Sequence, residues 1–188
     1  MNEAYRNLLE RRSIRKYEAR PGPEELLDAV LQAGIHAPSG MNTQGDRLVA
    51  GRDPELIATL SRLNAAVMNA TNDPFYGAPC VVIVLADPEL YGGWVEDGAL
   101  ALGNMMNAAH ALGLGSCWIH RARQVFDSPE GKALLEKWGL PTQLRGVGNC
   151  ILGYPACDHP SPAPPEGRKN REDRLIKKGS AANELQHA

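Results

Sequence analysis

The run of residues 80–86, "CVVIVLA", constrains the fold more than any other segment, because its seven consecutive residues are all apolar. A strand with one wet face alternates apolar and polar residues, whereas an unbroken apolar run predicts a strand that is covered on both faces. The chain must therefore place layers on both sides of a sheet. Its 188 residues suffice for one domain with a substantial core.

Apolar residues at helical spacing predict the layers around this strand. The clearest helix covers residues 23–36, with Leu26, Leu27, Val30, Leu31 and Ile35 on one face. Further helices are expected at 2–10, 54–70, 96–113 and 129–138, and further strands at 47–51, 114–119 and 145–155. Helices and strands alternate along the chain, which favours an α/β or an α+β sandwich around one sheet.

The predicted helix 96–113 is apolar on nearly every side, as its segment "ALALGNMMNAAHALG" shows. Such a helix must be buried on nearly every side. One small domain rarely encloses a helix so fully, whereas a partner subunit can cover the remaining face. The sequence therefore predicts a homodimer that buries this helix.

Charge and cysteine usage exclude several classes of protein. Lys and Arg total 20 against 22 for Asp and Glu, so the net charge of −2 gives no support for binding to nucleic acid or a membrane surface. No run approaches the roughly 18 apolar residues of a membrane span, and the N-terminus lacks the apolar core of a signal peptide. A cytoplasmic protein is therefore the default expectation. The four cysteines form no CxxC pair and indicate no metal site. Cys80, Cys117 and Cys150 lie in apolar runs and are expected to be buried thiols, while Cys157 lies in a polar loop.

Positive charge is concentrated in "RRSIRK", residues 11–16. Arg11, Arg12 and Arg15 supply guanidinium forks suited to a phosphate, and Ser13 adds a compact donor. Apolar Ile14 in their midst is expected to anchor the segment inward. A second basic stretch at 167–171 contains Arg168 and Lys169 and follows a proline-rich segment. The ordinary alternative is a solvated helix end and a solvated tail.

Two further segments are rich in polar or small residues. The turn "APSGMNTQ", residues 37–44, is ordinary turn chemistry or a set of amides suited to the edge of a flat heterocycle. The segment "GLGSCWIHR", 113–121, resembles the start of a dinucleotide fingerprint. It fails that test because Trp118 replaces the third glycine and because a strand follows rather than a helix.

Taken in order, "RRSIRKY", "APSGMNTQ", "DPFYGAP", "GLGSCWI", "LGYP" and the late "RK" resemble the nitroreductase family of flavin mononucleotide (FMN) enzymes, over roughly residues 5–175. The resemblance implies an α+β fold: a three-layer sandwich with a central, mainly antiparallel sheet flanked by helices. It also implies an intertwined homodimer with flavin at the interface. Residues 1–175 would form one domain, and 176–188 a polar tail.

The resemblance also implies a set of cofactor-binding residues. The phosphate and the pyrimidine edge would be held by Arg11, Arg12, Ser13 and Arg15, with Arg168 and Lys169 closing on the phosphate. Asn42 and Gln44 would lie beside the flavin, and Pro38 and Ser39 would reach it from the other subunit. The backbone of Ile119, His120 and Arg121 would face the flavin N5 and O4.

The implied activity passes a hydride from NADH or NADPH through the flavin to a nitroaromatic, a quinone or a similar small acceptor, by ping-pong kinetics. No side chain acts as a nucleophile, and His120 is considered as a proton donor. Three alternatives stay open. They are a flavin store or sensor without turnover, another flavin reaction such as dehalogenation or alkene reduction under a lid near 60–78, and a generic anion-binding protein.

Overall fold

In a computed structural model, which describes residues 2–156, six helices alternate with four strands. In chain order they are α1 (Glu3–Glu10), α2 (Glu24–Ile35), β1 (Asp46–Gly51), α3 (Pro54–Val67), β2 (Cys80–Ala86), α4 (Trp94–Ala111), β3 (Gly115–Ile119), α5 (Ala122–Asp127), α6 (Pro129–Lys137) and β4 (Arg145–Gly153). A short 3-10 turn, Gly40–Asn42, precedes β1.

The strands form one sheet in the order β1-β2-β4-β3, and every neighbouring pair is antiparallel. β2 lies in the interior of the sheet, and each of its residues is buried, which confirms the prediction from its apolar run. Its pairing with β4 runs from Cys80 opposite Leu152 to Ala86 opposite Arg145, with a shift of register between Val84 and Leu85. β3 pairs only with β4 among these strands, so its other edge is open for further contacts.

Helices cover both faces of the sheet, and two apolar clusters fill the space between the layers. On one face Ile83 and Ile151 pack with residues of α3, α5 and α6, including Phe126 and Leu135. On the other face the cluster includes residues of α2 and α4 together with alternate residues of β2 and β4. The molecule is therefore a three-layer α+β sandwich, and the antiparallel sheet rules out the doubly wound α/β alternative for the described residues.

The observed elements differ from the expected ones mainly at their ends. α3 ends at Val67 rather than at residue 70, and α4 covers Trp94–Ala111 rather than 96–113. The sequence pattern missed α5, because six residues are too few to show a helical period. Its buried Val125 and Phe126 are fixed by tertiary packing.

Within residues 2–156, α4 is not fully enclosed. Ala101, Leu102 and Met105 are fully buried, yet Leu100 and Val95 expose 48% and 39% of their surface. Most of the other exposed apolar residues lie on α1, at the end of α2 and in the segments before β1 and α4: Tyr5, Leu8, Leu9, Ile35, Met41 and Leu90. Two more, Val67 and Tyr76, lie at the end of α3 and in the loop before β2. Within residues 2–156 no helix is long and apolar enough to cross a bilayer.

The three cysteines of the sheet are buried free thiols, as their apolar surroundings predict. Burial raises the pKa of Cys80 to about 11 and also raises the pKa of Cys150. The thiols of Cys80 and Cys150 therefore stay protonated at neutral pH and make poor nucleophiles. Cys157 lies outside the described residues.

Candidate functional site

The basic segment lies along the open edge of β3. The Ile14 N–H donates to the Ser116 carbonyl over 2.9 Å, and Ser13 forms an isolated parallel bridge with Ser116. Ile14 is buried, which confirms its predicted role as an anchor, and it packs over Gly115. A Cβ on Gly115 would lie only 2.9 Å from the Ile14 Cβ, so this glycine leaves room for the anchor.

The same segment continues onto the end of β4. Tyr17 forms an antiparallel bridge with Pro155, and the Glu18 N–H donates to the Tyr154 carbonyl over 2.9 Å. The Tyr17 hydroxyl donates to the Ile14 carbonyl over 2.6 Å, and burial of the ring raises its pKa. Main-chain bonds and one buried hydroxyl thus fix the backbone that presents the arginines.

Two arginines of this segment, Arg11 and Arg12, lie near the C-terminal end of α4. Arg12 donates to the carbonyls of Leu9 and Arg11, where α1 ends, and both Arg11 and Arg12 are half-buried. Burial lowers the pKa of His110 in the last turn of α4, and the positive charges of Arg11 and Arg12 lower it further. Arg15 is exposed. The structure therefore places Arg11 and Arg12 near the last turn of α4 and Ser13 on the edge of β3.

The turn at 38–44 has an unusual backbone. Met41, Asn42 and Gln44 have φ values of 50°, 56° and 49°, in the left-handed region that non-glycine residues rarely adopt. Such conformations cost about 1–3 kcal/mol each and are concentrated at binding and catalytic sites. Met41 also exposes 88% of its surface. The turn is therefore held in a strained, outward-facing form.

Hydrogen bonds keep this turn in place. The Ser39 Oγ accepts from the Gln44 N–H over 3.0 Å, and the Gln44 side-chain amide donates to the Asn42 Oδ1 over 2.9 Å. The Gly40 N–H donates to a carboxylate oxygen of buried Asp97, in the first turn of α4, over 2.8 Å. Ser39, Asn42 and Gln44 thus form one unit attached to the N-terminal end of α4.

The basic segment and the turn do not meet within one chain. One is adjacent to the C-terminal end of α4 and the other is bonded to its N-terminal end. A helix of 18 residues is about 27 Å long. The structure therefore separates Arg11, Arg12, Ser13 and Arg15 from Pro38, Ser39, Asn42 and Gln44.

The third predicted region, Ile119–Arg121, lies on the same edge as the basic segment. His120 is four residues beyond Ser116, about 13 Å along the strand, and is exposed. Arg121 has a left-handed φ of 77° and begins α5. Two buried asparagines that the sequence prediction missed touch this region: the Asn64 Nδ2 donates to the His120 carbonyl over 2.7 Å, and the Asn149 Nδ2 to the Ile119 carbonyl over 3.5 Å. The sequence did contain a signal for these two residues, because each asparagine is a polar residue inside a largely apolar run, "RLNAAV" for one and "GVGNCILG" for the other.

Other predicted features have mixed outcomes. Residues 60–67 of the expected lid belong to α3, where Leu60 and Leu63 are core residues, so this part is not a lid. A cavity of about 890 Å³ lies between α3 and the loop at 70–79, with Ser61 and Asp73 in its wall.

Arg168 and Lys169 lie outside the described residues. Among the described side chains no group of three or more His, Cys, Asp or Glu is placed to hold a metal ion.

Known proteins resemble the chain over most of its length. The model of the nitroreductase family matches residues 8–73 and 65–154. A protein of Archaeoglobus fulgidus named as an NADH dehydrogenase/NAD(P)H nitroreductase is 33% identical over 160 residues, covering 82% of this chain and 87% of that protein. The FMN reductase (NAD(P)H) of Bacillus subtilis is 27% identical over 204 residues, covering 99% and 80%.

Solved structures agree with these sequence matches. A nitroreductase with bound FMN from Bacteroides fragilis superimposes with a TM-score of 0.77 at 31% identity, covering 96% of this chain and 97% of that one. A nitroreductase with bound FMN from Desulfitobacterium hafniense gives a TM-score of 0.81 at 26% identity, covering 94% and 98%. With the family model, these matches confirm the resemblance seen in the sequence motifs and the α+β fold it implied: the chain belongs to the nitroreductase family.

Proposed function

We propose that the protein is an FMN-dependent oxidoreductase that transfers reducing equivalents from NADH or NADPH to a small acceptor such as a nitroaromatic or a quinone. The observation that carries this proposal is the open edge of β3. The backbone that carries the arginines and Ser13 is fixed at one end of that edge, and residues 119–121, with His120 exposed, lie at the other. The relatives named for NAD(P)H reduction and the neighbours crystallised with FMN support it.

The donor set fits FMN. Arginine forks and a serine hydroxyl suit a phosphate, and Arg11, Arg12, Ser13 and Arg15 supply both on an immobilised backbone. Arg168 and Lys169 are proposed to complete that phosphate site. When bound, FMN supplies the two-electron chemistry. The chain would bind and orient it, and the proton would come either from water or from His120, which is exposed at the far end of the edge.

We propose that a second copy of the chain completes the site. Exposed apolar residues lie on α1, α2 and α4, and one of them, Leu8, lines a groove of about 770 Å³ between these helices. An isologous dimer that packs the two α4 helices in opposite directions would bring the turn of one chain to the basic segment of the other. Because the turn is one hydrogen-bonded unit, the partner chain would contribute Asn42 and Gln44 to the site together with Pro38 and Ser39.

One pocket is proposed to serve donor and acceptor in turn. The described sheet contains no parallel βαβ unit that would bind a dinucleotide separately. The reduced nicotinamide would occupy the exposed edge, give its hydride to the flavin and leave in its oxidised form. The acceptor would then take its place, which gives ping-pong kinetics. A single domain over 1–175 and a cytoplasmic location remain proposals that rest on the sequence.

Air-free mixing of the FMN-loaded protein with NADH or NADPH tests the function. Loss of the flavin absorption band within seconds, followed by its return when a quinone is added, is the expected result. A flavin that is bound but never bleached would favour a store or sensor. A protein that takes up no flavin would favour the anion-binding alternative. Parallel lines in double-reciprocal plots at several quinone concentrations would support the ping-pong order, and a screen of halogenated and alkene acceptors separates the remaining reactions.

The proposed role of Arg168 and Lys169 has its own test. Removal of residues 165–188 is expected to weaken FMN binding far more than removal of 179–188, because only the longer deletion removes both cations. Equal FMN occupancy in the two truncations would contradict the role of this basic stretch. The substitution Arg168→Ala separates the guanidinium from the rest of the deleted segment.

A further inference from the structure

We infer that Asn64 and Asn149 are positioning residues that aim two consecutive backbone N–H groups, those of His120 and Arg121, at the cofactor. This inference rests on the proposed FMN site. It starts from the two buried amides, which expose 0% and 2% of their surface and come from separate elements, α3 and β4. Both donate to carbonyls of adjacent residues at the end of β3.

The direction of the carbonyls decides the direction of the N–H groups. Within a trans peptide unit the C=O and the following N–H point in opposite directions. The Ile119 carbonyl is bonded by Asn149, so the His120 N–H points away from that amide. The His120 carbonyl is bonded by Asn64, so the Arg121 N–H points away from that one. Both donors are thus turned away from the buried amides.

This arrangement departs from an ordinary strand. Along a regular strand, successive carbonyls point to opposite edges. Ser116, earlier in β3, follows that rule, because its carbonyl accepts from Ile14 on the open edge. The Ile119 carbonyl also follows it, because it points towards Asn149, directly opposite on β4. By the same rule the His120 carbonyl would point to the open edge, but Asn64 of α3 holds it instead, and the left-handed φ of Arg121 then turns the chain into α5. Two successive N–H groups ending in a left-handed residue form a small concave donor pair suited to an anion or an electron-rich edge.

Among the described residues, each of the two asparagine side chains has one polar atom without a hydrogen-bond partner, which indicates that stabilising the fold is not the main role of Asn64 and Asn149. In the part of the chain that the structure describes, neither the Asn64 Oδ1 nor the Asn149 Oδ1 has a hydrogen-bond partner. A buried acceptor without a donor is destabilising. An apolar side chain of similar size would avoid that cost but would release the carbonyl. Asparagine at these positions therefore favours the geometry of 119–121 over the stability of the core.

Hydrogen bonds from such a donor pair favour the more negative state of the ligand. Loosening the pair should therefore weaken FMN binding and should weaken binding of the reduced form more than that of the oxidised form. The affected quantity is the midpoint potential of the bound flavin, which is independent of any acceptor. A residue that only supports the fold would change the melting temperature and leave this potential alone.

The experiment compares Asn64→Leu with Ser61→Ala in the full-length FMN-loaded protein. Ser61 lies one turn earlier on α3 and is also buried, but its hydroxyl donates to Asp73, away from 119–121. For Asn64→Leu we expect about tenfold weaker FMN binding. We also expect about a tenfold smaller preference for the reduced flavin, which for a two-electron couple is a potential lower by about 30 mV. Its melting temperature should stay the same or rise, whereas Ser61→Ala should lower only the melting temperature.

Two results would overturn the inference. If Asn64→Leu lowers the melting temperature but leaves the FMN affinity and the potential within twofold of the parent, the amide is structural only. If the parent protein takes up no FMN, the proposed function fails and the inference fails with it. Asn64→Ala, which adds no volume, replaces the leucine variant if that variant does not fold, and Asn149→Leu provides an independent test with the same expected signs.

Discussion

The edge of β3 and the turn at 38–44 carry the two halves of the proposed site, and they are built in opposite ways. At the edge, the basic segment follows backbone preferences: Ile14 is buried and its N–H completes a strand-like bridge. In the turn, three non-glycine residues adopt left-handed conformations around an almost fully exposed Met41. One half is completed by its own chain. The other is held in a costly form by Ser39 and Asp97, which indicates a surface prepared for a second molecule.

The largest expected effect comes from separating the two chains. Leu100 is exposed on α4, so Leu100→Asp should leave the core of one chain intact and place a charge in the proposed interface. Burial of a leucine contributes about 1.5–3 kcal/mol, and a two-fold axis applies the loss twice. Sedimentation velocity should show a species of one chain, 20.3 kDa, that no longer retains FMN.

Val67→Asp provides the control for the interface, because Val67 is also an exposed apolar residue but lies at the end of α3, in the opposite helix layer. It should leave both assembly and FMN retention unchanged. A parent protein that sediments as a folded single chain at micromolar concentration, or a Leu100→Asp variant that remains a dimer, would show that this face is not the interface.

Arg11→Ala tests the basic segment on the edge of β3, the half of the proposed site that one chain completes by itself. A hydrogen bond to a charged group contributes about 1.5–3 kcal/mol, so the Kd for FMN should rise by roughly 10- to 150-fold while the fold is retained. Fluorescence titration of the cofactor-free protein measures the change. Arg62→Ala, at an exposed arginine of α3 in the opposite helix layer, is the matched control and should bind FMN like the parent. An unchanged Kd in Arg11→Ala would remove this residue from the phosphate site.

Ser39→Ala tests the half that the partner would contribute. Loss of the bond from the Gln44 N–H should loosen the turn and raise the Kd by about 2- to 12-fold, the effect of one neutral hydrogen bond of 0.5–1.5 kcal/mol. The sharper measurement mixes Arg11→Ala chains with Ser39→Ala chains. If the halves come from different chains, each mixed dimer regains one site of parent affinity. If both halves belonged to one chain, no site of parent affinity would appear.

The smallest effect concerns a carboxylate next to the turn. Burial raises the pKa of Asp46, at the start of β1, and the charge of Asp97 raises it further. A raised pKa in the folded state gives a contribution to stability that is present below the unfolded pKa of about 3.9 and is lost as the pH rises through the folded value. Asp46→Asn should therefore raise the melting temperature at pH 7 by less than about 4 °C, the shift that 1 kcal/mol produces in a domain of this size.

The same substitution provides its own control at low pH. At pH 3 the Asp46 carboxyl is protonated in both states, so the parent and Asp46→Asn should melt together there. A stabilisation of equal size at pH 3 and pH 7 would show that the carboxylate charge is not the cause.

The layers of the fold were predictable because a strand that is buried on both faces needs an uninterrupted apolar run, which is visible in the sequence. The apolar run of β2 and the helical period of α2 depend on local spacing alone. The bond from Asn64 to the His120 carbonyl was not predictable, because the two residues are 56 positions apart in the chain and only tertiary structure brings them together. The basic segment was predicted to be a phosphate site, but its place along β3 could not be predicted, because it depends on the Ser116 carbonyl and on the gap at Gly115. The left-handed turn at 38–44 likewise gives no signal in residues such as Met41.

The bridge between Ser13 and Ser116 also has a consequence for the solution behaviour of the protein. An unpaired strand edge is a template for pairing with other molecules, and the segment 13–17 covers part of that edge on β3. The same segment is the proposed phosphate anchor. A ligand that binds the folded chain stabilises the covered form by mass action. The resistance of the protein to aggregation would then depend on the supply of cofactor. The purified protein should be most prone to precipitate in its cofactor-free form.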